Sequence, residues 1–596
     1  MFSRKTILPV LTVIFFVVSA GFAQTPEENW NDFLHFTGIG HDLAKGYAQA
    51  VLDSNPDPVE LLALSEANPQ GYSLLLRVID THPDAELVEL SKKILDIIEQ
   101  GRFMRRADPK IIVAEVKRLS TTARGWRTAV KRLQNAGEYA IPYMLDAIAD
   151  HDRKEEWPDI IRALPLIGRD AIRPLVAALQ TDNVSVKTEI IKALGEISYP
   201  QSTPYLKYII ENDASLEVRD IGKQSIRKID PAALKIPAAQ LFYKLAENYY
   251  YHAQSLAPAE DAAFANIWFW DSTVHRLVRE KVDKSYFNEL MSMRACEWAL
   301  KADSEFGDAI GLWLAAYFKA ESANVAMPNY FGQSHAKAFV YATTAGPKYL
   351  HQALARATRD RNAYVALGAV EALAITAGEK SLLYRLGPTQ PLVQALSFND
   401  KAVRYSAAIA IAEAGPKQNF PESKLVVQNL AEALGQNSKQ VAENPNVWNK
   451  QLADSYAVRA AGAMLKLAQT RNRVVDLSAA QSALISATKD DRPDIQILAG
   501  QVLAYLAGSD AQRSIAAMAL AKTNAMAARI EAFKSLAVSA KINANLLDNK
   551  MVDAIYALVS SLETDPDLRS TAASAYGALN LPSRKVKDLI LDQTKS

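Results

Sequence analysis

A chain of 596 residues is too long for one hydrophobic core, while 49% hydrophobic and 22% charged residues are the proportions of folded protein, so the material is globular and modular. A formal net charge of +1 argues against a protein that grips nucleic acid or an anionic membrane along its length. The single cysteine, Cys296, leaves no internal disulfide, and no His/Cys spacing suits zinc, so neither metal nor cofactor is expected.

Residues 1–23 read as a secretory signal. Arg4 and Lys5 precede an apolar run from Ile7 to Val18, and Gly21-Phe22-Ala23 offers a small-x-small cleavage site before Gln24. The expectation is export to a periplasmic or secreted address. No cysteine near the cleavage site could take a lipid, and no later stretch is long enough to span a bilayer. Residues 24–137 follow as a helical N-terminal section that caps what comes next, interrupted by loop signals at Asn55-Pro56-Asp57-Pro58 and Asn68-Pro69-Gln70-Gly71. A helix is expected over Pro83 to Gln100, with Leu87, Leu90, Ile94 and Ile97 on one stripe.

This section holds the one clear charge bias. Between Arg102 and Arg132 stand ten basic residues against two acidic ones, Asp108 and Glu115. Lys110 is one of the ten. The other nine, Arg102, Arg105, Arg106, Lys117, Arg118, Arg124, Arg127, Lys131 and Arg132, are the candidate partner-binding face. Such a run is either a solvated helical face neutralised by acidic neighbours or a surface that attracts an acidic partner.

From Ala140 a repeat is legible. AIPYMLDAI at 140–148, AIRPLVAAL at 171–179 and STPYLKYII at 202–210 stand 31 residues apart with apolar positions in register. Within one unit, Ile172, Leu175, Val176 and Leu179 share a helical face, as do Val186, Ile190, Leu194 and Ile197, with Thr181-Asp182-Asn183 as the turn. Asp182 or Asn183 can cap the second helix, and Pro174 suits the first turn of the first. Eight apolar side chains cannot offset the entropy of ordering such a hairpin alone, so copies must stack.

These residues resemble HEAT repeats, in particular the short bacterial class related to the repeats of phycobilisome lyases. Val186-Lys187 with Ala193-Leu194-Gly195 carries the pattern of the second helix. It recurs at Val218-Arg219, Val403-Arg404, Val458-Arg459 and Leu568-Arg569 with Gly577-Ala578-Leu579. The resemblance implies an all-α fold, an α-solenoid of stacked helical hairpins. A first array would cover 138–235 and a second 347–596, with second-helix starts near Tyr364, Val403, Val458, Ile495, Ala528 and Leu568.

Between the arrays, residues 236–346 are rich in aromatics, with 18 between Leu241 and Phe331 out of 49 in the chain. Phe242, Leu245, Ala246 and Tyr249 are echoed by Ile310, Trp313, Leu314 and Tyr317 at an offset of 68, and Arg294 to Leu300 would be a second helix. The segment is similar to degenerate tetratricopeptide repeats. Aromatics at this spacing form a core or an aromatic groove for peptide or glycan, with Trp268, Trp270 and Tyr330 as its candidate exposed members.

Chemistry is weakly represented. Gly332 to Ala336 lacks the second glycine of a nucleophile elbow, and Ser334 to Lys337 spells SxxK without the companion elements, since Lys522-Thr523-Asn524 lacks a glycine. Thr37 to His41 has no strand before it and is not a dinucleotide loop. HEAT-like lyases and DNA-repair glycosylases exist, but no residue here carries their activities across. The expectation is a non-catalytic scaffold or adaptor in an exported assembly, binding other proteins, an acidic partner or a glycan and no nucleic acid. The alternative is a glycan- or peptide-binding protein, or a hydrolase, centred on the aromatic segment.

Overall fold

The computed structural model describes residues 25–258, 264–325, 335–439 and 450–592. Its architecture is all-α, a helical solenoid of hairpins whose starts are fixed by short polar side chains. Asp57 accepts from the Val59 and Glu60 amides at 2.8 and 3.1 Å, with Pro58 opening the helix behind it. Asn68 accepts from the Gly71 amide at 3.0 Å and starts Pro69–Thr81 in the same way. The helix expected from Pro83 starts at Ala85 under an Asp84 cap and continues past Gln100 to Arg106. Its buried stripe is Leu87, Leu90, Ile94 and Ile98; Ile97 sits half-buried at the margin.

The chain divides into two compact units. The first comprises the residues up to Ser202, then Ser215–Ile229 and Ala259–Arg279; the second comprises Thr203–Ala214, Asp230–Pro258 and everything from Glu280. In the first unit the N-terminal helices close a core around Trp30, Phe33, Leu61, Leu75 and Ile94. The repeat helices follow at Ile141–Ala149, Ile172–Ala178 and Val184–Ile197, and no strand occurs between Ala140 and Ile229. Asn183 is the residue that caps, accepting from the Val186 amide at 3.1 Å. Val186, Ile190, Ile191 and Leu194 are buried, with Ile191 inside where Ile197 was expected to be. The second helix of one repeat packs on that of the next, Val184–Ile197 against Leu216–Ile229. Gly195 leaves room for Ser225, which donates to the Ile191 carbonyl at 2.9 Å.

In the second unit the same logic runs through the C-terminal array. The helices Ala363–Thr376, Lys401–Ala414, Lys450–Gln469, Pro493–Leu503, Met526–Asn543 and Pro566–Ala578 pack each on the next. Five of the six start within two residues of the positions read from sequence; the one around Val458 begins earlier, at Lys450. Their faces are rich in alanine, which lets neighbouring helices approach closely.

The aromatic segment is helical over Ala238–Tyr250, Lys284–Ala302 and Asp308–Glu321, where the sequence placed helices. It also contains a feature absent from that reading, a two-stranded hairpin of β1, Phe264–Asp271, and β2, Arg276–Asp283. Asp271 shapes the turn by accepting from the Thr273 and Val274 amides at 2.8 and 3.3 Å. Among the described residues no helix is long and apolar enough to cross a membrane.

Candidate docking face and aromatic cluster

The nine candidate basic residues fall on three consecutive helices of the first unit. Arg102, Arg105 and Arg106 occupy the last turns of Ala85–Arg106, Lys117 and Arg118 the end of Pro109–Arg118, and the other four lie along Ala123–Ala136. Gly137, at φ +57°, ends the last of these in a backbone conformation that a side chain resists.

Local carboxylates neutralise only part of the set. Arg102 pairs with Glu99 at 2.9 Å, and Arg105 pairs with Glu66. Arg106 Nε donates to the Asn135 carbonyl at 2.7 Å. Glu115, only 4% exposed, is clamped by Arg132 at 2.6 Å and Arg118 at 3.3 Å, both on its Oε1 atom. Lys110, Lys117, Arg124, Arg127 and Lys131 are exposed and form no ion pair among the described residues. The structure therefore divides the charge run into residues engaged by their neighbours and five cations that face solvent, Lys117 among these with the Glu156 charge nearby.

The aromatic candidates are placed differently from expectation. Trp268 is not an exposed groove residue: it lies on β1 at 5% exposure, and its Nε1 donates to Glu138 Oε2 at 2.8 Å. Asn266 Nδ2 donates to Glu138 Oε1 at 2.6 Å and to the Tyr139 hydroxyl at 2.7 Å. The Arg279 guanidinium lies 4.7 Å over the Tyr139 ring, and Phe103 packs edge-on against Tyr139 and Phe264. Burial pushes the Tyr139 hydroxyl up to about 12, so it stays a neutral hydrogen-bonding group. Glu138 is the acceptor that ties the hairpin to the first repeat. Trp270 is half-buried, with its Nε1 enclosed and unpaired among the described residues. Tyr330, Ser334 and residues 1–23 lie outside the described residues.

Of the remaining described aromatics, Phe242, Tyr249, Tyr250, Tyr286, Phe287, Tyr317 and Phe318 are buried as core. Phe242 stacks on Trp298 at 5.7 Å, and Tyr205 meets both rings edge-on. Around them is a polar lock. Arg356 donates to the Tyr243 and Tyr251 hydroxyls and to Glu247, each at 2.8 Å. Buried Glu289 meets His252 at 2.5 Å and Lys319 at 3.0 Å. Burial raises the Glu289 carboxyl, but the hydrogen bond from His252 and the Lys319 charge outweigh it and hold it below the usual carboxylate range. Cys296 is buried and its thiol is pushed well up. Among the described residues no group of His, Cys, Asp and Glu could hold a metal ion. Thr37 and Gly38 close the helix Pro26–Gly38 and Ile39 to His41 follow it, so a helix and not a strand leads into this stretch.

Residues 141–227 match the family of HEAT repeats. No curated protein matches the chain. Among solved structures, a crystal structure of an engineered protein is similar over 92% of this chain and 99% of its own, at 15% identity and a TM-score of 0.22. Yeast importin-beta (Kap95p) is similar over 96% of this chain and 70% of its own, at 14% identity and a TM-score of 0.27. A structure of Kap95p with RanGDP gives 96%, 69%, 15% identity and a TM-score of 0.28.

Proposed function

We propose that this chain is a non-catalytic protein-binding scaffold that works outside the cytoplasm. The observation that carries the reading is the exposed positive charge on three consecutive helices that lead into the HEAT-matched residues 141–227. A row of helical hairpins offers an extended surface on which several repeats engage one partner at once, and a half-paired cationic face attracts carboxylates by long-range steering. The groove reading of the aromatic segment loses Trp268, because that side chain is consumed in holding the hairpin. The export half of the proposal rests on residues 1–23 and their resemblance to a leader.

Crosslinked affinity purification from the exported fraction tests the scaffold. Recovery of defined protein partners, lost when exposed residues of several repeats are changed together, supports it. Recovery of none overturns it. N-terminal sequencing of the same fraction tests the address, with Gln24 as the expected first residue and an intact Met1 as the refuting one.

A further inference from the structure

Three of the five exposed cations, Lys110, Lys117 and Arg124, border two cavities. The first, of about 590 Å³, lies among Pro58–Ala67, Ala85–Arg106, Pro109–Arg118 and Ala123–Ala136; Arg105, Arg106, Lys110 and Arg132 form part of its wall. The second, of about 520 Å³, is walled by Lys117, Arg118 and Arg124 together with threonines. Ala114 lines both, so they adjoin along one helix. Each falls within the roughly 300–1,000 Å³ typical of ligand pockets.

We infer that the two cavities form one docking track for an extended acidic polypeptide segment bearing an aliphatic anchor side chain. The inference rests on the scaffold reading and names the partner chemistry of its basic face. Eight cations line the track, and four of them are already engaged, Arg102 by Glu99, Arg105 by Glu66, and Arg118 and Arg132 by Glu115. Lys110, Lys117 and Arg124 keep exposed charge that calls for anionic groups from outside, and an arginine fork such as that of Arg124 suits a carboxylate. The track also offers apolar surface. Ile111 is 40% exposed on the wall of the first cavity, beside exposed Ala114. A polyphosphate or sulfated chain leaves that surface unused, whereas a Leu or Ile of a peptide covers it while flanking Glu or Asp side chains reach Lys110 and Lys117.

The test is fluorescence anisotropy of the full chain with a labelled synthetic peptide of alternating Glu and Asp carrying two leucines. A matched peptide with both leucines replaced by serine and a heparin oligosaccharide serve as comparison probes. The expected result is saturable binding of the leucine peptide at physiological salt that weakens as salt rises. It should weaken about tenfold or more in Lys110→Glu/Lys117→Glu, less in Lys110→Ala/Lys117→Ala, and several-fold when serine replaces leucine. Both lysines are exposed, so an unchanged thermal melt is the check on folding. The inference is overturned by absence of peptide binding, by equal binding to the charge-reversed variant, or by a heparin affinity that matches the peptide's with no effect of the leucines. Crosslinking separates this failure from that of the scaffold. If the charge-reversed chain recovers the same partners as the parent, the track is wrong and the scaffold stands; if the parent recovers none, both fall.

Discussion

Replacing Gly195 by alanine should loosen the stack at one defined place. A Cβ built there would stand 2.6 Å from Ser225 Oγ, 2.8 Å from its Cβ and 3.0 Å from its Cα, so the next helix as well as its side chain must move. Overpacking of this kind costs about 1–3 kcal/mol, and displacing Ser225 sacrifices its bond to the Ile191 carbonyl, a further ~0.5–1.5 kcal/mol. Alanine is the better helix former by about 1 kcal/mol, which leaves a net destabilisation of roughly 0.5–3.5 kcal/mol. Gly577 supplies the contrast, because it lies in the helix Pro566–Ala578 with nothing within 4 Å of an added Cβ. Gly577→Ala should therefore stabilise its helix by up to about 1 kcal/mol. Urea melts combined with hydrogen exchange, read separately over Leu216–Ile229 and Pro566–Ala578, measure both. Ser225→Gly removes the side chain nearest the new methyl and should recover part of the Gly195→Ala loss as a coupling energy. Two substitutions shifting stability in the same direction, or no coupling between positions 195 and 225, would refute the packing argument.

Other perturbations address the hairpin and the charges. Glu138→Ala strips acceptors from Trp268 and Asn266, each buried donor costing about 1–3 kcal/mol; amide exchange over Phe264–Asp271 should accelerate while that of Val184–Ile197 holds, and equal exchange in parent and variant would remove the anchoring role. Burial lowers the basicity of His351, whose Nε2 faces the Ser381 carbonyl at 2.8 Å and whose Nδ1 is enclosed and unpaired among the described residues. The folded state thus resists protonation while the unfolded chain binds a proton near pH 6.5, so this contribution is complete above that pH and is lost as pH falls below it. His351→Gln should flatten the stability profile there, and an unchanged slope would count against the assignment. Glu289 behaves as a held carboxylate, with its contribution present above the ordinary carboxylate range and lost as pH falls through its lowered folded value. Glu289→Gln should therefore be destabilising at neutral pH and progressively less so in acid; a penalty that does not change with pH would contradict the ion-pair account.

What could be read from the chain alone follows the range of the interactions concerned. The Asp57, Asn68, Asp84 and Asn183 caps act on amides two or three residues away, so their signatures survive in a short window. The repeat period was legible because the apolar positions of successive hairpins recur in register, and at Gly195 and Ser225 one second helix meets the next through small residues. The hairpin was also written locally, in the β-branched and aromatic residues of β1 and β2 and in the turn at Asp271. Its aromatics were assigned to helices because the segments on either side are helical and equally rich in them. Counting ring types does not distinguish a period of two from one of 3.6.

The surroundings of the candidate site residues were hidden for a different reason, the distance along the chain to their partners. Trp268 reads as an exposed aromatic until Glu138 is found beside it, and those residues are 130 apart in sequence. The same applies in reverse to the basic run, where the balance inside Arg102 to Arg132 leaves open whether acidic neighbours neutralise the face or leave it to a partner. Glu66 and Glu99, both outside that window, remove two of its arginines, and Glu115 within it engages two more. The surviving exposed set includes Lys110, a residue that the nine-member face omitted, and it is this set that the folded arrangement leaves facing solvent. A charge run in a repeat protein thus specifies how much cation is available, while the packing of neighbouring helices decides which of it is already spoken for. The placement of a docking face becomes readable only when the second quantity is subtracted from the first.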